Sequence, residues 1–139
     1  MAGRSDVELL EDLLATENRL LSAYEAALRR GAIGAALGET LRRHESDHAR
    51  AIERTLADAG SRNPRASVPS ADLTAALRSR ASFARFAIDL EGRAVAAYAE
   101  AAASIGDPKL RQPLGSIMAC AAAHVVSLRD SLGERLLVN

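Results

Sequence analysis

Apolar residues recur along this chain in alternating steps of three and four. Val7, Leu10, Leu14, Glu17, Leu21, Tyr24 and Leu28 obey that rule near the N-terminus, and Leu110, Leu114, Ile117, Ala121, His124 and Leu128 obey it near the other end. Such spacing puts each set on one helical face and marks the seam of antiparallel, coiled-coil-like packing. Glu17 and His124 thus occupy core positions in stripes that are otherwise apolar. The pattern predicts an all-α chain folded as an antiparallel four-helix bundle.

Helix ends can be placed from local chemistry. Ser5-Asp6-Val7-Glu8 reads as a capping box, in which serine and glutamate satisfy each other's backbone N–H groups. The first helix then runs to about Arg30, where Gly31 and Gly34 break it. The second is expected over residues 35–59, stopping at Gly60. Residues 61–70, with Pro64 and Pro69, form the longest linker and the midpoint of the chain. A third helical stretch is expected over 71–104, broken near 79–82. Asp107 and Pro108 start the fourth as N-cap and first helical residue, Pro113 kinks its first turns, and it ends near Gly133.

The two halves repeat each other. Glu17, Arg19, Ala23 and Tyr24 match Glu91, Arg93, Ala97 and Tyr98 at an offset of 74 residues. Leu41, Glu45, His48 and Ile52 match Ile117, Ala121, His124 and Leu128 at an offset of 76. One domain spanning 1–139 is therefore expected, made of a helical hairpin over about 5–60 and a second over about 71–133. At roughly 1.5 Å per residue, Glu17, Glu45, His48, Glu91 and His124 all lie about 15–24 Å from their hairpin turns. Five polar groups then meet at one level inside the bundle. Burying a carboxylate without a partner costs several kcal/mol, so a cation, a proton or a histidinium has to compensate three of them.

One Glu on the first helix, Glu-x-x-His on the second, one Glu on the third and Glu-x-x-His on the fourth is the ligand set of ferritin-like di-iron and di-manganese bundles. The chain resembles that superfamily over nearly its whole length, and especially its small bacterial ferritin-like domains of unknown function. The resemblance implies metal ligation by Glu17, Glu45, His48, Glu91 and His124, with Glu45 as bridge or chelate. It implies iron or manganese, with zinc as the lesser alternative, and oxygen or peroxide chemistry of the oxidoreductase kind. The chain departs from the pattern at Ala121, where the fourth carboxylate belongs. Three carboxylates leave two divalent ions with one uncompensated positive charge, so one ion, two weak ones or none is expected. Tyr24 and Tyr98 match positions that are often aromatic near such sites, and His44, one turn from His48, is a candidate substitute ligand.

Composition narrows the alternatives. Apolar residues make up 48% of the 139 and aromatics 3%, a balance that suits close-packed helices better than strands. Eighteen basic and eighteen acidic residues cancel, which argues against a nucleic-acid partner. Residues 117–126 form the longest apolar run, about half of a membrane span, so no membrane segment is expected. With no signal-peptide pattern and Cys120 as the single cysteine, expected to serve packing, the chain reads as cytoplasmic. His44-Glu45-Ser46-Asp47-His48 formally fits the zinc-peptidase H-E-x-x-H, but no strand-edged cleft accompanies it. The remaining rival is a metal-free helical scaffold that binds a partner or pairs as a homodimer, its core held by protonated carboxylates. The sequence names no small-molecule substrate.

Overall fold

Ser5 accepts the backbone N–H of Glu8 at 3.1 Å while the Glu8 carboxylate accepts that of Ser5 at 2.8 Å, so helix α1 (Asp6–Arg30) begins at the expected capping box. Gly31 ends it in the left-handed region at φ 67°, and the next N–H, of Ala32, bonds back to Ala27 at 2.9 Å. Helix α2 (Ala35–Asp58) follows after three more residues. The computed structural model describes residues 4–61 and 70–133, so the linker expected over 61–70 lies almost wholly outside the described residues. Among the described residues there is no strand.

The second half is more broken than its periodicity suggests. The stretch expected over 71–104 divides into α3 (Ser70–Ala76) and α4 (Arg80–Ser104). The break falls at 77–79, slightly earlier than the expected 79–82, because Ser79 caps α4 through the backbone N–H of Ser82. Asp107 caps α5 (Pro108–Arg111) by accepting from the N–H of Lys109. Pro113 does more than kink the fourth helix: lacking an N–H, it separates α5 from α6 (Leu114–Ser131).

Helix α1 packs against α2 and α4, and α4 packs against α6. Having two neighbours, α1 buries a wider stripe than a single seam. Leu13, Leu20 and Ala27 are buried beside Leu10, Leu14, Glu17 and Tyr24, whereas the expected seam residues Leu21 and Leu28 are half-buried. On α6 the expected set Leu114, Ile117, Ala121, His124 and Leu128 is buried throughout. At the corner between α1 and α2, Gly38 lets the chains approach. A Cβ there would lie 2.5 Å from Leu28 and 2.8 Å from Ile33.

The apolar core is divided in two. One cluster joins the beginnings of α1 and α6 to the ends of α2 and α4, through Leu10, Leu14, Ile52, Leu56, Ile105 and Leu114. The other joins the opposite halves, through Leu20, Tyr24, Leu41, Phe83, Ala87 and Leu128. Each fully buried leucine, isoleucine or phenylalanine contributes about 1.5–3 kcal/mol, so the two clusters carry the hydrophobic stabilisation. Along every long helix the residues between the clusters include the buried polar ones: Glu17, Glu45, Glu91 and His124. No helix among the described residues is long and apolar enough to cross a membrane.

Candidate metal centre

Each long helix delivers one buried polar group to the layer between the apolar clusters. Glu17, Glu45, Glu91 and His124 are at most 3% exposed, which is rare for charged side chains unless they are paired. The i, i+3 spacing puts His48 on the same face of α2 as Glu45, and its Nδ1 lies 3.4 Å from Glu45 and 3.7 Å from Glu17. His124 Nδ1 lies 2.9 Å from both Glu45 and Glu91. The carboxylates of this layer fall into two donor groups, Glu17–Glu45–His48 and Glu45–Glu91–His124, within each of which all donor atoms lie within 4.8 Å of one another. Glu45 belongs to both.

The tyrosines cross between the halves of the molecule. Tyr24 of α1 donates its hydroxyl to Glu91 of α4 at 2.7 Å, and Tyr98 of α4 donates to Glu17 of α1 at 2.5 Å. Each fixes one carboxylate oxygen and leaves the other free to face the layer. Glu17 Oε2, Glu45 Oε1, Glu91 Oε2 and His48 Nδ1 are buried with no hydrogen-bond partner among the described residues. The approach of Glu45 Oε1 to His124 Nδ1 is close enough for charge attraction, but the hydrogen bond from that nitrogen is aligned on Glu91. An unpaired buried polar atom costs about 1–3 kcal/mol, and carboxylate oxygen and imidazole nitrogen are donor types that a small cation can satisfy.

A comparison with protein-family models matches residues 5–134 to the model described as "Ferritin-like domain". The chain belongs to that family. Comparisons with curated proteins and with solved structures found no match. In this ferritin-like domain the five residues singled out from sequence come together in the two groups above, whereas Ala121, buried one turn before His124, brings no ligand atom. Asp89 does not replace the missing acid. It is exposed and pairs with Arg93 at 3.0 Å.

Two residues are arranged otherwise than the pattern implied. His44 joins neither carboxylate group; its Nδ1 lies 2.9 Å from Nε2 of His124, on the far side of that ring. Cys120, expected to do no more than pack, has its sulfur 3.3 Å from the same Nε2 and 3.7 Å from His44 Nδ1. A signal for this was present in the sequence, since the 76-residue offset that pairs His48 with His124 also carries position 44 onto 120. No donor group among the described residues unites His44 with His48, as a zinc-peptidase helix would need.

Burial sets where the protons lie. Desolvation, followed by the neighbouring carboxylate of Glu17, pushes Glu45 up to about 8. Glu17 moves the other way: desolvation opposes its charge, but the neighbouring Glu45 and His48 and the Tyr98 hydroxyl outweigh it. For His48 and His124 desolvation again works against the cation. The carboxylates Glu17 and Glu45 around His48, and Glu45 and Glu91 around His124, overcome it and raise each to about 10. Desolvation, then the positive charge of His124, lowers His44. At neutral pH His124 then donates from both nitrogens, to Glu91 and to a neutral His44. Desolvation and the adjacent carboxylates raise both tyrosines well above their ordinary value, so they stay protonated donors.

These shifts fix a pH dependence. The histidines' stabilising charge is complete below their unfolded value of 6.5 and is lost as pH rises through about 10. Glu45, favoured protonated in the fold, takes stability away as pH rises from 4.5 through about 8. Thermal melts of metal-free protein are therefore expected to fall steadily between about pH 6.5 and 8. Metal binding has the opposite slope, because a ligating Glu45, His48 and His124 must all lose their protons. Melts with and without manganese across that range check the divergence, and parallel slopes would contradict it.

Proposed function

We propose that the four long helices form the antiparallel, two-hairpin bundle of the ferritin-like family as one domain, and that its polar layer is a reduced carboxylate–histidine metal site. The observation that carries this reading is the convergence of unpaired buried atoms on Glu17, Glu45, Glu91 and His48. Glu17, Glu45 and His48 would hold an ion at one end of the layer, and Glu45, Glu91 and His124 at the other. Oxygen and imidazole donors suit iron and manganese, with zinc a poorer candidate against three carboxylates. Such an ion supplies redox chemistry toward oxygen or peroxide.

The chain's own residues account for the rest. Tyr24 and Tyr98 orient the two carboxylates that Glu45 lies between, as outer partners of metal ligands commonly do. The apolar clusters on either side keep water from the layer and so strengthen its electrostatics. With Ala121 in place of the fourth acid, one divalent ion is better balanced by three carboxylates than two are. Loading with ferrous iron or manganese under anaerobic conditions should leave about one tightly held ion per chain after desalting. Two tightly held ions would refute the reduced stoichiometry, and none would refute the site.

A second reading has its own observation. The crossed tyrosine–glutamate bonds, the protonated Glu45 and the two histidinium groups already compensate much of the buried charge without metal. On that reading the fold is a scaffold that acts through a partner or a second copy of itself. Elemental analysis of protein as purified, followed by the loading experiment, separates the two.

A further inference from the structure

His124 has two faces, and the site proposed above uses one. Its Nδ1 serves Glu45 and Glu91 in the interior, while its Nε2 looks outward to His44 Nδ1 and Cys120 Sγ. We infer that His44, Cys120 and His124 form a separate outer site for a borderline or soft ion, zinc or copper(I), lying between α2 and α6.

Three observations carry it. First, the donor atoms converge: Nδ1 to Nε2 is 2.9 Å, sulfur to Nε2 3.3 Å and sulfur to Nδ1 3.7 Å. A tetrahedral ion with zinc-like bonds needs neighbouring nitrogens about 3.3 Å apart and nitrogen and sulfur about 3.6 Å apart. Shifts of a few tenths of an ångström meet that requirement. Second, the His44 and His124 rings lie 10° from parallel with centroids 5.2 Å apart and meet end to end at the 2.9 Å contact, so both donor nitrogens already face one gap and a tilt of roughly 35° per ring turns their lone pairs onto a shared tetrahedral ion. Third, positions 44 and 120 are equivalent in the two halves of the chain, so the fold brings this pair together by the same repeat that assembles the interior layer.

The chemistry of the donors selects the ion. Two imidazoles and a thiolate prefer zinc or copper(I) to manganese or ferrous iron, the reverse of the carboxylate groups inside. His44 and Cys120 are half-buried, whereas Glu45 and Glu91 are buried, so a fourth position on the outer ion is open to water or another small ligand. Binding requires the thiol to lose its proton, and His124 to give its Nε2 lone pair while keeping the Nδ1–H bonded to Glu91. A neutral imidazole has one lone pair. Filling the outer site therefore withdraws His124 from the interior ligand set, and an ion held inside at Nδ1 weakens the outer site. The inference does not depend on the interior layer holding metal.

Cobalt(II) reports a thiolate ligand through a near-ultraviolet charge-transfer band. The full chain titrated with cobalt should develop that band at about one equivalent. Cys120→Ser should abolish it, His44→Gln should weaken cobalt binding at least about tenfold, and Glu17→Gln, which touches the interior group alone, should leave it intact. A second measurement needs no variant: equimolar zinc should slow alkylation of Cys120 by at least about tenfold, and manganese should not. No band in the unaltered chain, a band that survives Cys120→Ser, or equal protection by zinc and manganese would each overturn the inference. Failure of iron or manganese to load the interior, with the cobalt band present, would sink the proposed function and leave this site standing.

Discussion

Glu45→Gln is expected to lower affinity for manganese or ferrous iron by at least about 100-fold, because even outer partners of metal ligands are worth 10–100-fold and Glu45 lies in both interior groups. The same change should barely disturb the metal-free fold at neutral pH. With its pKa pushed up to about 8, Glu45 is there mostly a neutral acid, which an amide of the same size and charge imitates. A stability difference under about 1 kcal/mol is expected near pH 7. Above about pH 8 the variant should become the more stable of the two, since it has no buried proton to lose. Chelator competition and paired thermal melts check both halves. Undiminished affinity would remove Glu45 from the ligand set.

Ala121→Glu works in the other direction. A fourth carboxylate one turn before His124 restores the charge balance for two divalent ions, so the first ion should bind more than about tenfold tighter and the number held should rise from about one to about two. Without metal the variant should suffer. Replacing a buried alanine by a longer acid adds about 1–3 kcal/mol of overpacking to the cost of desolvating the carboxyl group. Manganese at about 100 times its dissociation constant returns about 2.7 kcal/mol, enough to reverse most of that loss. The melting temperature of Ala121→Glu should therefore lie below that of the parent without manganese and recover sharply with it. A folded variant with no gain in affinity would mean that the other five residues do not make a ligand shell.

Helix starts were legible wherever a single residue had the chemistry to cap: Ser5 and Asp107 do as their sequence context suggests. The break before α4 was harder to place because Ser79 and Ser82 can each offer a hydroxyl, and only the packed chain decides that Ser79 caps. The last seam was readable from Leu114 onward, whereas Leu110, counted into it, lies half-buried in α5. The α1 stripe was not, since a three-and-four rule describes a helix with one seam and α1 lies against both α2 and α4. Glu17 and Glu91 announced themselves through the repeat, where each is followed seven residues on by tyrosine. That each tyrosine serves the other half's glutamate was not readable, because equivalence between halves does not reveal which member of a pair reaches across. The closeness of Cys120 to His44 was not readable for a related reason: its partner in the repeat is a histidine, and unlike residues at matched positions look like divergence until the structure sets them side by side.

The crossed bonds from Tyr24 to Glu91 and from Tyr98 to Glu17 work as a key and its mirror image. If α4 slid along α1 by one turn, about 5.4 Å, neither phenol would reach its acid, and carboxylates would be driven into one of the greasy plugs above and below. Sliding is thus opposed at two places at once, whichever way it goes. The acids at mid-height, with or without an ion, set the register in which the two halves of the chain can lock together.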